Sequence, residues 1–233
     1  MTIRSSWPRA VVFDLDGTLV DSAPDIAAAL NVALGKAGHK ALDLALVTSF
    51  VGGGARLLIE RGLQACGEQA GATRIDEVYA DFLAAYARDP AQRTKPYPGA
   101  LAVLERLAAE GVRLGICTDK PADLTNAVLD QLTLTAFFVS VVAADGRLPL
   151  KPEPAMLRRA LQELGVVANE AVMVGDSAAD SGVAAAAGVR SVLLAHGYSH
   201  APVGSLGADV VISGFEDFLE CLPKLGLASI ATG

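Results

Sequence analysis

The sequence predicts an α/β protein: a doubly wound, Rossmann-like parallel sheet that carries an inserted all-helical cap. Three observations predict it. Apolar runs that read as strands end near Asp14, Thr118, Ala144, Asp176, Ala195 and Ser213, with helical stretches between most of them. Strands alternating with helices of this length imply βαβ units and a parallel sheet. The first run, Val11-Val12-Phe13, stops abruptly at Asp14-Leu15-Asp16-Gly17-Thr18, as a buried parallel strand does when its C-terminal edge presents carboxylates. In open α/β sheets that edge is where ligands bind. From Ser22 to about Pro96, by contrast, only helical patterning is found.

Taken in order, the elements support this division. After the first strand, Ile26, Leu30, Ala33, Leu34 and Ala37 stripe one helix that Gly38 ends. A second helix runs from about Gly54 through Leu58 and Gly62 to Cys66, and a third carries Ile75, Val78, Tyr79, Phe82 and Tyr86. These place a helical cap over residues 22–96 and the α/β core over residues 1–21 and 97–233. The two connections, Asp21 to Pro24 and Arg93 to Pro98, both contain proline. A lid hinged beside two acids points to chemistry in which water is controlled. Back in the core, Leu101, Leu104, Leu107 and Ala108 follow a helical period between Pro98 and Gly111. Leu157, Ala160, Leu161 and Leu164 do the same before Gly165, a C-terminal stop. The Ala-rich stretch Ala178–Ala187 reads as a helix packed closely on the sheet.

At 233 residues the chain has room for one large or two smaller domains with a full core. A net charge of −7 argues against a nucleic-acid partner, although a few cations or a metal can invert the potential for a small anion. Cys66, Cys117 and Cys221 are odd in number and lack metal-type spacing, and are expected as reduced thiols of a cytoplasmic protein. An N-terminus bearing Arg4, Trp7, Pro8 and Arg9 before a strand broken at Asp14 does not read as a signal peptide. The apolar stretch Leu132 to Ala144 is too short to span a bilayer, so a soluble monomer or homodimer is expected. His39, His196 and His200 read as loop or surface residues without partners.

Four clusters fall at the expected strand ends: Asp14 and Asp16; Thr118-Asp119-Lys120; Lys151-Pro152; and Gly175-Asp176-Ser177 with Asp180. Each residue alone has an ordinary reading. Thr118 could simply end a strand, Lys151 could be a solvated loop lysine, and Asp176 and Asp180 could serve a turn or a helix start. Gathered around one crevice, a hydroxyl, an ammonium and several carboxylates suit phosphoryl transfer. Mg²⁺ favours hard oxygen ligands, while the hydroxyl and ammonium can hold phosphoryl oxygens. One carboxylate can attack and a second can handle protons.

The chain resembles the haloacid dehalogenase-like hydrolase superfamily through Asp14-x-Asp16-Gly17-Thr18, Thr118, Lys151 and Gly175-Asp176-Ser177-x-x-Asp180. Within it, the segment Phe50-Val51-Gly52-Gly53-Gly54-Ala55-Arg56, together with Tyr97-Pro98-Gly99 and His196-Gly197-Tyr198, is similar to bacterial phosphoglycolate phosphatases. The resemblance implies a small phosphorylated metabolite as substrate. It also implies Mg²⁺ held by the Asp14 and Asp176 carboxylates and the Asp16 backbone carbonyl. Asp14 is the implied nucleophile, Asp16 the acid–base, Thr118 and Lys151 the phosphate grip, and Asp180 a support from behind. In the cap, Gly53, Gly54 and Arg56 are candidate substrate contacts, with a solvated helix face as the other reading of Arg56. Two positions depart from that branch, which usually has Asn where this chain has Asp119 and commonly Asn where it has Gly53. A phosphosugar phosphatase and a β-phosphoglucomutase-like phosphomutase share most of these marks. A non-enzymatic phospho-receiver domain also pairs Asp, Thr and Lys with Mg²⁺, but lacks the inserted cap and the role of Asp16.

Overall fold

In the computed structural model, which describes residues 7–199 and 201–227, the chain enters the sheet at once. Arg4 and His200 lie outside the described residues. Strand β1 (Ala10–Phe13) is followed by the two-residue strand β2 (Val20–Asp21) and by four helices: α1 (Ala23–Lys36), α2 (Leu44–Thr48), α3 (Ala55–Ala65) and α4 (Ala72–Tyr86). Strand β3 (Lys95–Pro96) closes this excursion by pairing antiparallel with β2. Helices and strands then alternate: α5 (Ala100–Ala109), β4 (Arg113–Pro121), α6 (Ala122–Gln131), β5 (Phe138–Ala144), α7 (Ala155–Leu164), β6 (Ala171–Gly175), α8 (Ala178–Ala187), β7 (Arg190–Leu194), β8 (Val210–Ile212) and the short α9 (Phe218–Cys221).

Six parallel strands among the described residues form one sheet in the order β5-β4-β1-β6-β7-β8. The chain builds outward from β1 to β5 on one side and from β6 to β8 on the other, so the direction switches between β1 and β6. That is the switch point where doubly wound sheets take their ligands. Asp14 and Asp176 directly follow these two strands. Both faces of β1 are covered, and its alternate residues part accordingly. Val11 and Phe13 join the layer of α5 and α9, with Leu104, Leu107 and Phe218. Ala10 and Val12 join the layer of α7 and α8, with Leu157, Leu161 and Val183.

The inserted helices hold an apolar cluster of their own. Ile26, Leu30 and Leu34 of α1 meet Leu58, Ile59 and Leu63 of α3 and Ile75, Val78 and Phe82 of α4, with Leu124 of α6 at the margin. Three details differ from the sequence reading. The stretch from Ser22 to Pro96 also contains α2 and, at its end, β3. Both are too short to show a period of their own. In α5, Leu101 is 44% exposed, whereas Val103 is buried beside Leu104 and Leu107. Ala100, Val103, Leu104 and Leu107 are the i, i+3, i+4, i+7 face. No helix among the described residues is long and apolar enough to cross a membrane.

Candidate active site

After β1 the backbone turns sharply: Leu15 carbonyl accepts from the amides of Leu19 (3.0 Å) and Val20 (3.1 Å). Gly17 makes the turn possible with φ of 84°, and a Cβ there would lie 2.7 Å from Asp176 Oδ2. Glycine is needed on both counts. The turn sends Thr18 back to donate its hydroxyl to Asp176 Oδ1 (3.1 Å). Asp176 Oδ2 accepts the amide of Tyr198 (2.6 Å). Burial, reinforced by Asp180, still pushes the Asp176 carboxyl up to about 7.

Asp14 is the least satisfied group here. Its Oδ1 lies 3.0 Å from Lys151 Nζ, but the angles do not make a hydrogen bond, and this buried oxygen has no hydrogen-bond partner among the described residues. Burial pushes the Asp14 carboxyl up to about 8; Lys151 opposes the shift, and Asp180 and Asp176 add to it. Carboxylate oxygens of Asp14, Asp176 and Asp180 come within 4.8 Å of one another. Asp180 is already saturated. Its Oδ1 accepts from Lys151 Nζ (2.7 Å), while Oδ2 accepts from the amide (3.0 Å) and hydroxyl (2.6 Å) of Ser177, the residue just before α8. The orphaned oxygen of Asp14 beside Asp176 therefore fits a hard divalent cation. Lys151 stays charged: burial opposes its charge, but Asp14 and Asp180 raise it well above the usual lysine range.

The end of β4 supplies the next cluster: its register breaks after Thr118, and Thr118, Asp119 and Lys120 all line the cavity. Lys120 is buried, with Nζ 3.1 Å from both carboxylate oxygens of Asp16 and 2.7 Å from the Tyr86 hydroxyl. Ser22 donates to the same Asp16 carboxylate (2.6 Å). Burial opposes the Lys120 charge, yet Asp16 raises it overall. Burial also pushes the Tyr86 phenol up to about 12. Asp119 holds the loop ahead by accepting the Lys151 amide (3.0 Å). It is thus turned to the lysine's backbone, and its carboxyl is raised by burial.

These groups line a cavity of about 70 Å³ with Gly52, Gly53, Gly54 and Leu58 of the helical segment. Gly54 closes it so tightly that a Cβ would lie 2.8 Å from Leu150 Cδ1. Asp14, Asp16, Thr118, Lys151, Asp176, Gly53 and Gly54 thus come together, with Asp180 behind Lys151. Arg56 does not join them. It is exposed and paired with Asp76, because Ala55 faces the cavity and each helical residue turns about 100° from the last. His39 and His196 are also not the unpartnered residues the sequence implied. His39 lies 2.5 Å from Glu68, and half-buried His196 stacks on Tyr97 with ring centroids 4.0 Å apart. Lys120, Tyr86, Ser22 and Tyr198 are site residues that sequence reasoning did not assign. Two of them carried a signal: Lys120 stands in the strand-end cluster with Thr118, and Tyr198 ends the His196-Gly197-Tyr198 match.

A family model described as haloacid dehalogenase-like hydrolase matches residues 11–194. A phosphoglycolate phosphatase of Rhodospirillum rubrum is 47% identical over 223 residues, covering 94% of this chain and 91% of the relative. One of Yersinia pestis is 37% identical, covering 95% of each. The crystal structure of a predicted phosphoglycolate phosphatase from Haemophilus somnus superposes with a TM-score of 0.85 at 27% identity, covering 91% of this chain and 96% of that one. With that family's model reaching from β1 to β7 and over the acidic edge, the chain belongs to the haloacid dehalogenase-like hydrolases.

Proposed function

We propose that this chain is a Mg²⁺-dependent phosphatase that hydrolyses 2-phosphoglycolate to glycolate and phosphate through an aspartyl phosphate on Asp14. The observation that carries the reading is Asp14 itself, a buried carboxylate oxygen without a hydrogen bond, facing the cavity between Lys151 and Asp176. Asp14 and Asp176, with the backbone carbonyl of Asp16, would hold Mg²⁺. Its charge would offset the repulsion between Asp14 and a phosphate dianion.

Asp14 attacks phosphorus in line, forming the acyl phosphate as the ester P–O bond breaks. Asp16, fixed at the cavity wall by Lys120 and Ser22, gives a proton to the departing alkoxide. As a carboxylate it then takes one from the water that attacks phosphorus, which frees Asp14 and releases phosphate. Thr118 and Lys151 hold the transferring oxygens, and Asp180 keeps Lys151 in place.

Two features favour a small acidic substrate. The cavity over the acidic edge is small, about 70 Å³, and is walled by Gly53, Gly54 and Leu58 of the helical segment. The cation that a substrate carboxylate needs is Lys120, which lines the cavity where Arg56 does not. The test is phosphate release with Mg²⁺ from phosphoglycolate, hexose phosphates, nucleoside monophosphates and pyrophosphate. Phosphoglycolate should show the highest kcat/KM. A hexose phosphate above it, or isomerised sugar phosphate as product, would overturn the reading.

A further inference from the structure

A three-residue loop touches both chain crossings that join the helical segment to the sheet, and no step above uses its side chains. His196, Gly197 and Tyr198 follow β7. The Tyr198 amide donates to Asp176 Oδ2 (2.6 Å), and Gly197 sits so close that a Cβ there would come within 2.2 Å of the Asp176 Cβ. At its other end, the Tyr198 phenol oxygen accepts the amides of Ser22 (2.7 Å) and Ala23 (2.9 Å) and donates to Asp21 Oδ1 (2.8 Å). These three residues are the first crossing. The second is reached by His196, which stacks on Tyr97 directly after β3. Tyr97 in turn donates its amide to Leu19 (3.0 Å).

We infer that Tyr198 is a positioning residue that ties the placement of the Asp176 carboxylate to the orientation of the helical segment. The inference rests on the reading of Asp14 and Asp176 as a cation site. A phenol has two acceptor lone pairs and one donor, and all three are filled at the crossing. Its ring is stiff and has only two side-chain torsions. A displacement of its amide by a rearranged Asp176 is therefore passed to Asp21, Ser22 and Ala23. Filling the acidic site tightens the crossings.

The test is amide hydrogen exchange over residues 20–25 and 93–97, with and without saturating Mg²⁺, in the wild-type chain and in Tyr198→Phe. Mg²⁺ should slow these wild-type amides about tenfold, as the closing of one or more hydrogen bonds does. Tyr198→Phe keeps the backbone amide, so titration calorimetry should find Mg²⁺ affinity within about threefold of wild type. Its crossings should respond to Mg²⁺ by less than about twofold. A purely structural phenol would instead speed exchange equally in both states and leave the Mg²⁺ response intact, which would overturn the inference. So would wild-type binding of Mg²⁺ with no change at the crossings. Failure of the wild-type chain to bind Mg²⁺ overturns the cation reading, and this inference with it. Should Tyr198→Phe not fold, Asp21→Ala removes one of the phenol's three ties, and its crossings should respond to Mg²⁺ less than those of the wild type; an unchanged response would overturn the inference.

Discussion

Asp14 is costly to the fold in which it sits, and the proposed chemistry needs that cost. Burial raises the Asp14 carboxyl even with Lys151 Nζ 3.0 Å away, so its ionised form is unfavourable in the metal-free protein. Asp14→Asn should therefore abolish turnover and also raise the melting temperature in chelator at pH 8, by about 2–4 °C for each kcal/mol recovered. A variant that is inactive but less stable than wild type would contradict this account. The same burial sets a pH dependence. Burial pushes the carboxyls of both Asp14 and Asp176 well above the 3.8 of the unfolded chain. Between about pH 4 and 8 the folded state holds more protons, so these groups make metal-free stability fall as pH rises. Mg²⁺ must displace those protons. Its affinity, read by calorimetry, should rise between pH 6 and 8 by up to about tenfold per unit for each proton released. Lys120 allows a sharper test. Lys120→Met should slow both substrates through Asp16, but phosphoglycolate about ten- to a hundredfold more than p-nitrophenyl phosphate, which has no carboxylate. Arg56→Ala should leave both within about twofold, since its pair with Asp76 is exposed. Residue types and spacing made Asp14, Thr118, Lys151 and Asp176 legible, because each stands where a strand ends. Arg56 stayed open between a substrate contact and a solvated helix face because a helix start says nothing about which way its second residue turns; it pairs with Asp76 on the exposed face.

The elements that join sheet and helices were the hardest to read. Strands β2 and β3 have two residues each, shorter than any alternation a sequence can display. Helix α1 could be read from its apolar stripe, but what fastens it could not. Asp25 in its first turn reaches across to the second crossing, where one oxygen accepts the amides of Arg93 (2.9 Å) and Thr94 (2.8 Å) and the Thr94 hydroxyl (2.7 Å). Asp25 is buried, so Asp25→Ala leaves three donors without their partner and should cost about 3 kcal/mol in urea denaturation. The nearby ion pair contributes much less: Arg93 Nη1 is 3.9 Å away on a side chain 55% exposed. Arg93→Ala should cost under about 1 kcal/mol. If the two losses were equal, the crossing would be held by charge and not by backbone hydrogen bonds.

Across the whole molecule, alternating elements foretold the parallel sheet and its acidic edge. Strand order was not legible, because it depends on contacts between segments a hundred residues apart. Cation binding at that edge should register globally. Chelator should silence the enzyme and Mg²⁺ restore it, while Mg²⁺ at a hundredfold above its Kd should add about 2.7 kcal/mol to unfolding free energy. Ca²⁺, with its larger and looser shell, should inhibit. Full activity in chelator would remove the cation from the account. The place of β1 also has a consequence for how the chain is made. Its residue Ala10 pairs with Arg113 on one side and with Ala171 on the other. On a ribosome adding about 5–20 residues each second, the first strand emerges roughly 10–30 s before its second neighbour. Until β4 emerges, roughly 5–20 s after it, Ala-Val-Val-Phe has no neighbouring strand, while the inserted helices, rich in local contacts, can already pack. The nascent protein should fold from its insertion outward, and Asp14 should reach its final place among the last.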